Sequence, residues 1–249
     1  MRLLLINPNI STEISELIRA EAQRAASPST EIEVLTAPFG VAYIETRFEA
    51  LIGAYAVAEL AAEHHTRFDG VIVAAFGDPG VPGLREVLTI PVTGLTEAAL
   101  ASASLLGDRF SIIAISQRIR AWYRETVRAY GFEQRLASIR GLDGRLDSIG
   151  SIQHDLGEHL IEMSQRCVEE DCADVILFAG APLAGLARNV RGRIPVPSVD
   201  GVSSAVRHAE SLVALQPGAA TRGSFAAPPT KPNRGLSPGL VRLLTRGSS

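Results

Sequence analysis

Short runs of apolar residues alternate along this chain with longer stretches whose apolar positions recur every three or four residues. Residues 2–6, "RLLLI", have the pattern of a buried strand, and "NPNIS" after them that of a loop opening a helix. Ser11 or Thr12 can cap that helix, which extends to about residue 24 and carries Glu13 and Glu16 in its first turn, where the dipole favours acids. Residues 31–36, "EIEVLT", alternate as a strand does, and 49–66 is Ala-rich and helical. A third strand follows at 70–75, then a short helix at 83–88, a short strand in "IPVTGL" and a helix at 97–106. Strands separated in this way by helices predict βαβ units and a mostly parallel sheet.

The second half repeats the programme. "RFSIIAIS" (109–116) parallels "RLLLINPN", "DVILFAGAP" (174–182) parallels "DGVIVAAFGDP" (69–79), and "IPVPSVDGVSSAV" (194–206) parallels "IPVTGLTEAAL" (90–100). Helices are expected at 119–130 and at 153–170, the second with Leu156, Leu160, Met163 and Cys167 on one face. Arg2 and Arg109 are 107 residues apart, Ala75 and Gly180 are 105 apart, and Pro91 and Pro195 are 104 apart. So constant an offset indicates a duplicated α/β unit. The expected fold is therefore α/β, with two pseudo-symmetric Rossmann-like domains, each built on a parallel sheet. The boundaries place 1–104 plus 201–215 in the first domain and 105–200 in the second. Residues 216–249 form an extended Pro/Gly-rich tail that either stays disordered or lies along a neighbouring subunit, with one short helix near 236–244. Open α/β sheets bind ligands beyond the carboxyl ends of their strands. The loops after "VIVAA" and "VILFA" are thus expected to line one inter-domain cleft from opposite sides.

Composition narrows the function. The chain has 249 residues, 46% hydrophobic and 20% charged, with a net charge of −3. No apolar run reaches the roughly 18–20 residues of a membrane span. "MRLLLINPN" is broken too early by Asn and Pro for a signal peptide, so a cytoplasmic location is expected. Charge is well mixed, Lys231 is the only lysine, and no basic cluster interleaves with aromatics, which argues against a nucleic-acid partner. Cys167 and Cys172, five residues apart at a helix end, have no accompanying zinc-type spacing of His or Asp. They are expected to pack, and no metal site is expected.

Four blocks carry a resemblance: "INPNIS" (6–11), "AFGDPG" (75–80), "AGAPLAGLA" (179–187) and "VDGVSSAV" (199–206). In order and spacing they resemble the Asp/Glu and hydantoin racemase superfamily, most closely the hydantoin and allantoin racemases, over about residues 1–215. The resemblance implies a cofactor-independent isomerase, acting at the carbon alpha to a carbonyl or carboxylate of a small hydantoin- or amino-acid-like molecule. A homo-oligomer is expected. Enzymes of this kind carry one cysteine in each half: one thiolate removes the proton and the other thiol reprotonates the opposite face. The pattern puts those cysteines at positions 75 and 180, where this chain has Ala75 and Gly180. Cys167 and Cys172 precede the strand at 174–178 and so fall at its amino end, away from the cleft.

A non-cysteine mechanism is therefore expected. The candidate catalytic residues are Asp78, Ser116 and Tyr43, with Glu45 in the same loop as Tyr43. Candidate substrate-binding residues are Asn9, Ala75, Phe76, Gly77, Gln117, Gly180 and Ala181, whose N–H groups and polar side chains follow strands and form an anion-binding cage. Asn9 and Ser116 are 107 residues apart and occupy matched places in the repeat. Asp78 either caps its turn or serves as a carboxylate base. Arg118 and Arg120 either clamp an anion or begin a solvated helix. Asp200 is expected to cap a helix or act as a hinge, and His64, His65, His154 and His159 to serve their helices. Two other functions stay open: a decarboxylase or C–N hydrolase on the same scaffold, and a small-molecule binding protein without turnover.

Overall fold

The computed structural model describes residues 1–143 and 152–245; part of the second expected domain and the last four residues of the tail lie outside them. The first half runs β1 (Arg2–Asn7), α1 (Thr12–Ala25), β2 (Glu31–Thr36), α2 (Arg47–His64), β3 (Gly70–Val73), α3 (Val81–Val87), β4 (Val92–Gly94) and α4 (Leu95–Ser104). The second runs β5 (Phe110–Ala114), α5 (Arg120–Ala129), β6 (Leu136–Gly141), α6 (Ile152–Asp171), β7 (Val175–Phe178), α7 (Leu186–Asn189), β8 (Ser198–Asp200) and α8 (Gly201–Leu215), with α9 (Pro238–Thr245) closing the chain.

The strands form two four-stranded parallel sheets of the same topology, β2-β1-β3-β4 and β6-β5-β7-β8. The sequence repeat is thus a structural repeat. Ile6 pairs with Val73 in the first sheet, as Ile113 pairs with Phe178 in the second. Central strands β1, β3, β5 and β7 are buried almost throughout, which is why they read as continuous apolar runs. Strand β6 gives no such signal. It is an edge strand with Ser138 and Arg140 in its middle, where Arg140 pairs with Glu170 and Asp171 and Ser138 donates to Asp171. Helix α2 starts at Arg47 because Thr46 and Glu49 form a reciprocal capping box.

Three hydrophobic clusters hold the described residues together. One lies on the outer face of the first sheet under α2, α3 and α9, and another on the outer face of the second under α6 and α7. The largest is shared: it joins Leu3, Leu5 and Ile72 of the first sheet to Phe110, Ile112 and Leu177 of the second, with α1, α4, α5 and α8 between. Helix α4, which follows the last strand of the first sheet, packs on β7 and β8, while α8, which follows the last strand of the second, packs on β3 and β4. The two helices also pack on each other, with Gly201 too close to Leu95 to carry a side chain.

Beyond Gln216 the tail is largely exposed, then turns back as α9 on α2. Leu243 is buried there, Gly239 lies against Ala62, and Ser237 donates to Glu59 at 2.5 Å. No described helix is long and apolar enough to cross a membrane.

Candidate functional site

Strand β3 ends at Val73, and Ala74 extends the ladder by donating to the Ile6 carbonyl. The chain then turns: Gly77 has φ +100° and Asp78 φ +50°. Gly77 is required because the Trp122 ring occupies the space of a Cβ. Its N–H donates to Thr96 Oγ1 at 2.6 Å. The turn throws Asp78 inward, where Oδ1 accepts the N–H of Thr96 (2.8 Å) and Oδ2 that of Glu97 (2.9 Å). Asp78 thus caps α4, whose own cap position, Gly94, has no room for a Cβ beside that carboxylate. Burial outweighs these bonds and one from Tyr130, raising the Asp78 pKa to about 6.

The matched turn follows β7. Ala179 donates to the Ile113 carbonyl, and Gly180 adopts φ +103° before a 3-10 turn over Ala181–Leu183. A Cβ on Gly180 meets only ordinary contacts, with Pro182 Cδ at 3.5 Å and the Tyr123 hydroxyl at 3.9 Å. The space is there, but the backbone is one that L side chains rarely adopt.

Between these turns lies a chamber of about 30 Å³ lined by Ala75, Phe76, Gly180 and Ala181, and also by Asn9, Tyr43 and Tyr123. Ile14, Ile44, Ala74, Ile115 and Pro182 are the other lining residues among those described. Asn9 is held by an Asx turn, its Oδ1 accepting from Asn7 Nδ2 (3.1 Å) and from Ser11 N (2.9 Å). Tyr123, on α5, packs its ring against Phe76 with centroids 4.6 Å apart. Its hydroxyl has no hydrogen-bond partner among the described residues. Burial, and then the charge of Asp78, push the Tyr123 phenol well above its ordinary range, so it stays protonated.

The loop 37–46 covers the chamber with Tyr43 and Ile44. The loop and the start of α2 that follows it are each latched to the second half. Ser116 Oγ donates to the Glu45 carboxylate, and Arg47 forms an ion pair with Glu125. Ser116 also accepts the Arg118 N–H at 3.1 Å.

Of the residues singled out in the sequence, Asn9, Tyr43, Ala75, Phe76, Gly180 and Ala181 meet at the chamber. Asp78, Gly77, Ser116 and Gln117 stand outside its lining. Asp78 faces α4, Gly77 lies beneath Trp122, Ser116 holds the loop, and Gln117 donates to the Gly141 carbonyl at 2.8 Å. Arg118, Arg120 and the four histidines are not part of the lining either; Asp200 caps α8 by accepting the Ser203 N–H at 2.9 Å. Tyr123 carries the feature that sequence reading missed. Its signal was a phenol sharing the buried stripe of the otherwise polar α5 with Val127. No group of His, Cys, Asp and Glu among the described residues is arranged to hold a metal ion.

The sequence matches the Asp/Glu/hydantoin racemase family over residues 3–209. The chain belongs to that family. It is 35% identical over 233 residues to a hydantoin racemase of Paenarthrobacter aurescens, covering 93% of this chain and 99% of that one. The fold matches the allantoin racemase of Klebsiella pneumoniae with a TM-score of 0.90 and 34% identity, over 96% of this chain and 98% of the other. The allantoin racemase of Pseudomonas fluorescens gives a TM-score of 0.88 at 35% identity, over 94% and 100%. Within this family fold, Ala75 and Gly180 place no thiol in the chamber.

Proposed function

We propose that the protein is a cofactor-independent isomerase of its family, moving a proton at the carbon alpha of a small hydantoin- or amino-acid-like carbonyl compound without cysteine. One observation carries this reading: Ala75 and Gly180, at the matched ends of β3 and β7, line a single chamber. Carbon alpha would lie between them, with its carbonyl oxygen toward Tyr123. Removing the proton places negative charge on that oxygen, and a fixed donor in a dry site is the main means of stabilising it. Tyr123 is such a donor, buried and held neutral. Tyr43, the other titratable side chain in the lining among the described residues, is assigned the proton transfer: its phenolate takes the proton from carbon alpha, leaving the enolate at Tyr123, and the phenol so formed returns a proton when carbon alpha presents its other face. A chamber of about 30 Å³ is far below the few hundred Å³ of a typical ligand site, so the 37–46 loop must open to admit substrate.

The apolar walls favour a second reading. Ile14, Ile44, Phe76, Ile115 and Pro182 would desolvate a substrate carboxylate and promote its loss as CO2, after which a single proton donor completes a decarboxylation. One experiment separates the readings. Hydantoins, amino acids and a substituted malonate are incubated with the protein in deuterated water and followed by NMR. Exchange at carbon alpha, lost in Tyr123→Phe, is expected; CO2 release from the malonate alone selects the decarboxylase. Binding by calorimetry with neither reaction overturns both in favour of a binding protein.

A further inference from the structure

At the end of α1 remote from the chamber lies a second hollow, of about 270 Å³. Arg24 of α1, Arg188 and Arg191 of α7 and its following turn, and Arg207 of α8 all line it. Asp200 is the one acidic residue in the lining among the described residues, and its carboxylate is buried and turned to the first turn of α8. Glu21 and Glu210 lie at the margin. Glu21 is almost completely buried and accepts from Arg24, Arg188 and Ser203, while Glu210 holds Arg207. Arg191 has no side-chain partner among the described residues. Two further features point inward. Ser204 is only 8% exposed, lines the hollow, and its hydroxyl has no hydrogen-bond partner among the described residues. Ser203, in the first turn of the fifteen-residue α8, also lines the hollow, at the end of the helix that the Asp200 carboxylate caps.

We propose that this hollow binds a small phosphoryl anion, either free phosphate or the phosphate group of a small ester. Guanidinium groups from three elements surround a space large enough for a phosphate monoester. Planar forks of this kind match phosphate oxygens bidentately. Ser204 supplies a neutral donor in the lining. The site is separate from the chamber: Arg24 lies ten residues beyond Ile14 on α1, about 15 Å along the helix. It is nevertheless linked to the chamber, because Arg188 lies eight residues beyond Gly180 and Glu21 joins α1 to α7 and α8. An occupant would tie the element that leaves the Gly180 turn to a helix of the first half.

The test is calorimetric titration of the full chain with inorganic phosphate and, separately, phenyl phosphate, in a zwitterionic buffer at low salt, with malonate as a carboxylate control. Saturable 1:1 binding is expected, weakened about tenfold by Arg191→Ala, the loss of one charged donor. Arg191→Ala combined with Arg207→Ala should abolish it, Ser204→Ala should weaken it, and Tyr123→Phe should leave it unchanged. Arg191 is exposed and has no side-chain partner among the described residues, so an unchanged melting temperature certifies the fold of that variant. Tighter phenyl phosphate than phosphate assigns an ester, and the reverse assigns the free ion. No saturable binding, or the same affinity in the arginine variants, or malonate binding as tightly as phosphate, overturns the proposal.

Discussion

The hydroxyl of Ser116, just beyond the end of β5, donates to the carboxylate of Glu45, in the loop after β2 of the other sheet. With the Arg47–Glu125 pair it fastens the loop over a chamber too small for a ring. Ser116→Ala is expected to speed both entry and release of ligand, with a stability change of about 1 kcal/mol or less because the bond is half-exposed. Stopped-flow fluorescence of Trp122, the only tryptophan and a neighbour of Tyr123, reports the rates. Rates equal to wild type would show that this loop is not the gate.

Removing one oxygen from the chamber separates chemistry from stability. The Tyr123 hydroxyl bonds to no described protein group, so Tyr123→Phe should shift stability by only about 0.5 kcal/mol. Turnover should fall by about a hundredfold, as when one oxyanion donor is lost. Parallel kinetics and thermal melts check this, and a variant with full activity would remove Tyr123 from the mechanism.

Asp78 should act on stability and its pH dependence. Asp78→Ala leaves the Thr96 and Glu97 N–H groups without their cap, at a cost of about 2 kcal/mol. The native carboxyl, with its pKa raised from 3.8 to about 6, holds its proton more tightly than the unfolded chain does. Its contribution to stability is therefore largest below the unfolded value, declines as pH rises through this interval, and is level above it. Urea denaturation of wild type and Asp78→Ala across that range should show the gap between them narrowing with pH. A gap that widens would mean that the carboxyl titrates lower in the folded protein.

The two positions facing the chamber should respond unequally to the same side chain. Ala75 already carries a Cβ, so Ala75→Cys adds one sulfur at little cost. Gly180→Cys forces a side chain onto a backbone at φ +103° and should destabilise by about 1–2 kcal/mol. Melting temperatures of the two variants decide it, and equal losses would show that the Gly180 turn relaxes freely.

The strands and the duplication were legible because β1, β3, β5 and β7 are buried on both faces and appear as unbroken apolar runs. The convergence of Ala75 and Gly180 followed from the same pattern, since matched strands place matched loops. Strand β6 was not legible, because ion pairs rather than apolar contacts cover Arg140. Nor was the direction of Asp78, which depends on a left-handed backbone and on a helix that begins seventeen residues later. Ser116 looked like a cleft residue from its place in the repeat, but its partner Glu45 lies 71 residues away, a distance that local pattern does not report.

The crossing of α4 and α8 bears on how this chain can be divided. Each helix leaves one sheet and covers the other, and both belong to the one core that spans the molecule. Cutting the chain at its repeat boundary would strip each sheet of a cover supplied by the opposite half. A half-length polypeptide of this topology would close its core only by exchanging last helices with a second copy. The present chain is, in that sense, a swapped dimer made continuous, and it should unfold as a single cooperative unit.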